Sequence, residues 1–297
     1  MSRSADVLAT ALAPAIWGST YIITTGLLPA GYPLTVAMLR ALPAGLLLLL
    51  WARRLPQGVW WLRATLLGTL NFSIFWAMLF VTAYRLPGGV AATLGSIQTL
   101  IVIVLARALL GTPIRALSVI AALAGMGGVA LLVLTPEAAL DPVGIAAGLV
   151  GAVAMALGTV LSRRWQPPVP PLAFAAWQLV AGGLVLAPFA WWLEPALPSL
   201  TLAHLSGFAY LAVIGGAFTY ALWFRGLARL GPTVVASLGF LSPLTAVMLG
   251  WGLLGERLNG WQIAGMAVVI GSVSLVQRVQ QGVADRPATV NLKLKKL

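Results

Sequence analysis

The chain holds few residues suited to covalent or acid–base chemistry. Its 297 residues include one histidine, no cysteine and six carboxylates. Without cysteine there is no disulfide, no thiolate nucleophile and no Cys-ligated metal site. An intramembrane aspartyl protease needs two Asp within apolar segments; here Asp6 and Asp141 stand at segment ends and none lies inside. A serine–histidine protease needs a buried His, but His204 sits at the edge of an apolar run, where an interfacial residue is the plain reading. Intramembrane proton relays usually rest on a carboxylate, and the apolar runs carry none. No glycine cluster is placed as a phosphate loop, so no ATP site is expected. The expectation is a protein that is not an enzyme, with no cofactor and no metal.

The remaining candidates are aromatic and neutral polar residues in apolar surroundings. Trp17 and Tyr21 are four apart and share a helix face, with Gly18, Ser19 and Thr20 between them. They read either as an aromatic wall beside close-approach backbone or as small-residue helix packing with aromatic filler. Phe72, Phe75, Trp76 and Phe80 form a stripe, and Tyr220 and Phe224 recur in matching places further on. Such stripes pack cores more often than they cage ligands, but an aromatic wall can stack on varied apolar groups at roughly 0.5–1.5 kcal/mol per contact. Ser96, Gln98 and Thr99 fall in the middle of one apolar run and Ser242-Pro243 in the middle of another. Pro243 lacks a donor, which should leave the Gly239 carbonyl without its helical partner. These two loci are read as substrate contacts, against the alternative of interhelical hydrogen bonding. Arg40 lies about seven residues into an apolar run. It could attract a carboxylate, but a snorkelling or capping role that locks the loops is the expected one. Trp177 and Gln178 read as outer packing.

These residues need elements to hold them, and composition says which kind. Hydrophobic residues make up 60% of the chain and charged residues only 8%. A soluble domain carries roughly 25% charged residues, so lipid must be the solvent. A helix needs about 20 apolar residues to cross the hydrocarbon. Ten such spans fit near 6–27, 33–52, 62–84, 88–109, 115–135, 142–162, 170–192, 202–223, 231–254 and 259–277. The run from Val7 to Leu27 is too long for a signal-peptide core and is read as the first span. Of the 18 Lys and Arg, all but Arg40, Arg85 and Arg257 fall on the side of the N terminus. The positive-inside rule therefore predicts both termini in the cytoplasm. The net charge of +12 is a topology signal, not a nucleic-acid footprint.

The chain also repeats itself. Arg85-Leu86, Val90 and Ala92-Thr93-Leu94-Gly95 match Arg229-Leu230, Val234 and Ala236-Ser237-Leu238-Gly239 at one constant offset. Leu109-Leu110-Gly111 matches Leu253-Leu254-Gly255 at the same offset. Pro33-Leu34 through Leu48 matches Pro171-Leu172 through Leu186, Gly18 falls opposite Gly158, and Ala124-Gly125-Met126 matches Ala264-Gly265-Met266. Each half holds five spans, and an odd number sends the halves through the membrane in opposite senses. Inverted repeats of this kind build transporters with a site near the midplane. The predicted units are 1–138 and 139–279, followed by a disordered tail over 280–297. Each half supplies its partner within the chain, so a monomer is expected.

Ten spans, the five-plus-five repeat, Trp17-Gly18-Ser19-Thr20-Tyr21, Arg40 in the second span and the Leu-Leu-Gly-Glu-Arg run ending at Arg257 together give a resemblance. Over residues 5–278 the chain resembles the EamA-type exporters of the drug/metabolite transporter superfamily, and is similar in particular to YddG-like exporters of aromatic and other amino acids. The resemblance implies ten helices around a cavity lined by the first, third, fourth, sixth, eighth and ninth. It implies amino-acid substrates, a lipid environment and the bacterial inner membrane. Gly111 is followed by Thr112-Pro113 where the second half has Glu256-Arg257, so the pattern at Glu256 has no equivalent in the first half. Nucleotide sugars and phosphorylated metabolites need several cavity cations, and only Arg40 is a candidate. The missing carboxylate favours a carrier driven by its substrate gradient.

Overall fold

A computed structural model describes residues 2–86, 88–133, 141–255 and 257–284. Ten helices in it are long and apolar enough to cross a membrane: α1 (Arg3–Leu27), α2 (Pro33–Ala52), α3 (Trp60–Thr82), α4 (Ala91–Leu110), α5 (Ala116–Val133), α6 (Pro142–Arg164), α7 (Pro171–Leu193), α8 (Leu202–Leu230), α9 (Pro232–Leu253) and α10 (Gly260–Gln280). The protein is an all-α, multi-pass membrane protein, as its composition requires. The last helix continues to Ala284, past the expected start of the tail at 280. Glu256 lies outside the described residues, and so does the side chain of Tyr21.

Local chemistry sets the helix ends. Pro33, Pro142, Pro171 and Pro232 open α2, α6, α7 and α9, where the missing N–H is not needed and φ is already helical. Asp141 accepts from the Gly144 amide and caps α6. Glu194, at the end of α7, accepts from the Leu34 and Thr35 amides and so caps α2, the anion meeting the positive end of the helix. Gly111 and Gly255, which occupy one position of the repeat, end α4 and α9 with φ of +69° and +71°. This left-handed turn suits glycine because no Cβ obstructs it.

Two helix pairs tie the halves together, α2 with α7 and α5 with α10. The contacts exchange under the repeat register. A Cβ on Gly45 would strike Val180, and one on Gly183 would strike Leu42. Likewise Gly125 lies on Ser272, and Gly265 on Leu132. Close backbone approach through small residues is what holds helices together where no hydrophobic force acts between them. Large apolar side chains such as Leu50, Leu184 and Leu202 face outward, and Trp51, Trp191, Trp192 and Trp261 stand exposed at the helix ends, as in an interfacial aromatic belt.

Around the centre the helices form two groups, α1 with α8 and α9, and α3 with α4 and α6. At the end that carries most of the arginines, here the basic end, the groups meet. Thr99 Oγ1 of α4 donates to the Ala236 carbonyl of α9 at 3.3 Å. Arg163 of α6 donates to the Leu227 and Ala228 carbonyls of α8. At the opposite end, among the described residues, α1 packs on α8 and α9, and α4 packs on α5 and α6. In the described conformation the two groups are joined at the basic end by the hydrogen bonds of Thr99 and Arg163.

The basic end also holds a departure from expectation. Asp6 is not a free helix end, because α1 begins at Arg3. Its carboxylate is buried and accepts from Arg225 at 2.7 Å and from Arg229 at 3.1 and 3.2 Å. A span therefore does contain a carboxylate, neutralised by two cations that sequence reading treated only as topology signals.

Candidate functional site

Helices α3 and α8 are each interrupted by a π-helical turn, Thr69–Ile74 and Val213–Phe218. The two turns sit at one position of the repeat, since Arg85 and Arg229 match at the same offset. A π-turn inserts a residue into the helix and releases carbonyls from their usual partners, which makes it a frequent feature of functional sites.

In α8 the released group is the Gly215 carbonyl. It accepts from Arg40 Nη2 at 2.8 Å, Thr219 Oγ1 at 2.8 Å and Trp17 Nε1 at 3.2 Å. Trp17 Nε1 also reaches Thr219 Oγ1 at 2.9 Å. Three helices, α1, α2 and α8, thus converge on one backbone oxygen. A Cβ added at Gly215 would come within 3.6 Å of the Arg40 guanidinium, and one at Gly216 would overlap Ala44. Small residues are what allow α2 to lie this close.

Aromatic rings surround the point of convergence. Trp17 lies 4.9 Å from both Tyr220 and Trp223. Phe72 meets Tyr220 edge-on at 4.8 Å and Trp76 at 5.3 Å, and Trp76 stands 6.2 Å from Tyr220. The Arg40 guanidinium lies over the Trp76 ring at 5.0 Å. Phe72, Trp76 and Tyr220 are buried, whereas Trp17, Phe80 and Arg40 are half-buried. Arg40 does not snorkel outward, and the capping role expected of it does not hold. Its side chain instead reaches inward between α3 and α8. Among the described residues no carboxylate pairs with it, and its Nε is buried without a partner.

The second π-turn carries a different set. Asn71, in the place of Gly215, donates to Gln178 Oε1 at 2.7 Å and to Ser162 Oγ at 3.3 Å. Ser73 donates to the Gly182 carbonyl. All are buried, so Gln178 packs as expected, although in the interior and not on the outside. Trp177 donates to the Arg54 carbonyl and also serves packing.

The polar positions of α4 and α9 divide. Helix α4 breaks at Ile97, and α9 at Gly239 and Phe240. Ser96 donates to its own helix at the Thr93 carbonyl, and Thr99 bridges to α9, so both serve packing in this conformation. Gln98 is half-exposed. The Gly239 carbonyl is not free, because the tightened turn brings the Ser242 amide to it at 3.1 Å. Proline removed the distant donor and a 3₁₀-type bond replaced it. Gly18 lies directly against the Ser242 carbonyl and lets α1 cross α9 beside Pro243. Thr20 Oγ1 is buried there without a partner.

Asn71, Ser162, Gly215 as an acceptor, and Thr219 were missed as site residues. The signal lay in the repeat: the offset that aligns Arg85 with Arg229 also sets Asn71 opposite Gly215, and the offset of the second span sets Arg40 opposite Gln178.

Comparison with known proteins agrees with this architecture. The EamA-like transporter family model matches residues 4–134 and again residues 142–278. Protein PecM of Dickeya dadantii (strain 3937) is 44% identical over 269 residues, covering 90% of each chain. The uncharacterized inner membrane transporter YedA of Escherichia coli (strain K12) is 31% identical over 271 residues, covering 88% of this chain and 87% of that one. A solved crystal structure superposes with a TM-score of 0.81 at 18% identity, over 95% of this chain and 99% of the other, and shows the same fold. Ten membrane-crossing helices, two family matches in tandem and a polar–aromatic centre where they meet make one assignment: this chain belongs to the EamA-like transporter family.

Proposed function

We propose that the protein exports amino acids, aromatic and other mostly neutral ones, from the cytoplasm across a bacterial inner membrane, by alternating access and without ATP. Membership of the family makes it a membrane transporter of small molecules. The observation that carries the finer reading is the aromatic cluster, Trp17, Phe72, Trp76 and Tyr220, around the Gly215 carbonyl. Rings at these spacings offer faces and edges to an apolar or aromatic side chain. The unpartnered Thr20 hydroxyl and Arg40 Nε could bond polar groups of a zwitterion.

The two ends support alternating access. The positive-inside rule places the basic end in the cytoplasm. The two groups then meet on the cytoplasmic side in the described conformation, one of the two packings that a carrier of this kind would alternate between. The two halves, 1–138 and 139–279, would exchange packings to open the other way. All the contacts needed lie within one chain, which supports a monomer.

Purified protein in liposomes is expected to move labelled phenylalanine or tryptophan with saturating kinetics and no ATP requirement. Rates that stay linear to high concentration would mean a channel, and no flux of any amino acid would overturn the substrate assignment.

A further inference from the structure

We propose that Arg40 makes the polar–aromatic centre a carboxylate-reading site, in which the ligand's acid group docks on the unpartnered edge of the guanidinium while its ring packs among Trp17, Trp76 and Tyr220. The substrate class this selects is aromatic and apolar carboxylic acids, amino acids included, to the exclusion of their amides and amines. The inference deepens the amino-acid reading and rests on it only for the choice of site.

Three observations carry it. The first is incomplete satisfaction. A guanidinium presents five N–H groups, yet only Nη2 of Arg40 has a hydrogen-bond partner among the described residues, the Gly215 carbonyl. Nε is buried and unpartnered. Arg3, at the start of α1, also has an unpartnered Nε, but deeper cations are provided for: Arg225 and Arg229 by Asp6, and Arg163 by two carbonyls. A cation within the bilayer is costly without a partner, and one carbonyl with the Trp76 face covers only part of that cost.

The second is the comparison built into the chain. Gln178 holds the place of Arg40 in the other half and performs the same mechanical task, joining its helix to a π-turn through Asn71. A neutral amide suffices to pin the turn. Pinning therefore does not account for a full positive charge at position 40.

The third is the charge of the surroundings. The aromatic cluster contains no acid among the described residues, and Asp6 is committed at the basic end. The site carries one net positive charge. A planar carboxylate matches the guanidinium edge and its charge. An amino acid's ammonium has only ring faces and carbonyls to meet, and an amine without a carboxylate meets repulsion.

The test uses the purified protein and four probes of similar size: 3-phenylpropionate, phenylalanine, phenylalaninamide and phenethylamine. Binding is followed by tryptophan fluorescence and flux in liposomes. The wild type is expected to prefer the two carboxylates over amide and amine by 10-fold or more. Arg40→Gln, which copies Gln178, should lose about 10–100-fold in carboxylate affinity, the scale of a charge-assisted hydrogen bond, and leave the amide unchanged. Arg40→Lys should fall between. If the glutamine variant does not fold, the lysine variant and the wild-type series decide. Equal binding of phenylalanine and its amide would overturn the Arg40 inference and leave amino-acid export standing. Uptake of phenylpropionate without phenylalanine would do the reverse, and no binding of any probe would overturn both.

Discussion

The two π-turns share a backbone device and use it differently. The turn in α3, Thr69–Ile74, is closed: the Asn71 amide nitrogen, Ser162 and Gln178 bond one another in the interior, the Asn71 Oδ1 stays without a partner, and Gly158 leaves only enough room for the Asn71 amide. The turn in α8, Val213–Phe218, is built differently: glycine stands where asparagine would fill the space, and the released carbonyl collects Arg40, Trp17 and Thr219. Shape complementarity is exchanged as well. Phe72 lies against Gly182 in one half, and Gly216 against Ala44 in the other. A duplicated fold thus separates its duties. One copy of the joint is filled by neutral amides, and the other carries the Arg40 cation with an unpartnered Nε. The flanking helices differ in the same sense, since α1 is broken at Ser19 while α6 runs unbroken past Thr159.

The most severe way to probe that contrast is to crowd the closed joint. Gly158→Ala places a methyl group on Asn71 Oδ1. The amide must move and give up its bonds to Gln178 and Ser162, a loss of roughly 2–4 kcal/mol from overpacking and broken buried hydrogen bonds. Unfolding in detergent should show the fall, and Asn71→Ala in the same chain should restore part of it. No relief from the second change would break the reading of this joint as space-limited.

A smaller effect separates the two acid–arginine pairs, whose arginines match in the repeat. Asp6 is buried between Arg225 and Arg229, while Arg85 and Asp141 are 48% and 37% exposed and 3.5 Å apart. Asp6→Asn leaves two cations facing each other, and with Arg229 half in solvent the cost should be about 1–2 kcal/mol. Asp141→Asn keeps a capping side chain for α6 and should change stability by less than about 0.5 kcal/mol. Similar losses from both would dissolve the distinction between the ends.

An effect at the lower end of the Asp6 range belongs to the joint in α8. Trp17→Phe keeps a ring beside Tyr220 and removes the donor to Gly215 and Thr219. The loss is about 1 kcal/mol, or roughly 5-fold in KM for transported amino acid, with unfolding nearly unchanged. A change confined to stability would make Trp17 a packing residue.

Much of this architecture was legible in the residues. Period and length of the apolar runs placed ten helices, and proline and glycine marked their ends, because a span in lipid must satisfy its backbone internally and has few alternatives. The aromatic stripe of α3 and its match in α8 were visible too, as Trp76 and Tyr220. The site was less legible. Arg40 read as a capping residue because seven residues of helix say nothing about which neighbour it faces. Asn71 and Thr219 looked like ordinary polar interruptions, and Gly239 looked like a free carbonyl until the turn tightened around it.

Sequence by itself determined the solvent, the number of crossings, the sidedness of charge and the duplication, since each follows from composition and order along one dimension. Only the tertiary structure decided that Arg40, Trp17 and Gly215, up to 198 residues apart, meet at one oxygen, and that α4 and α6 join α8 and α9 at the basic end. Those outcomes depend on helix rotation and close approach. In lipid these are set by small residues and interhelical hydrogen bonds distributed over several helices, and not by the polarity pattern of any single one.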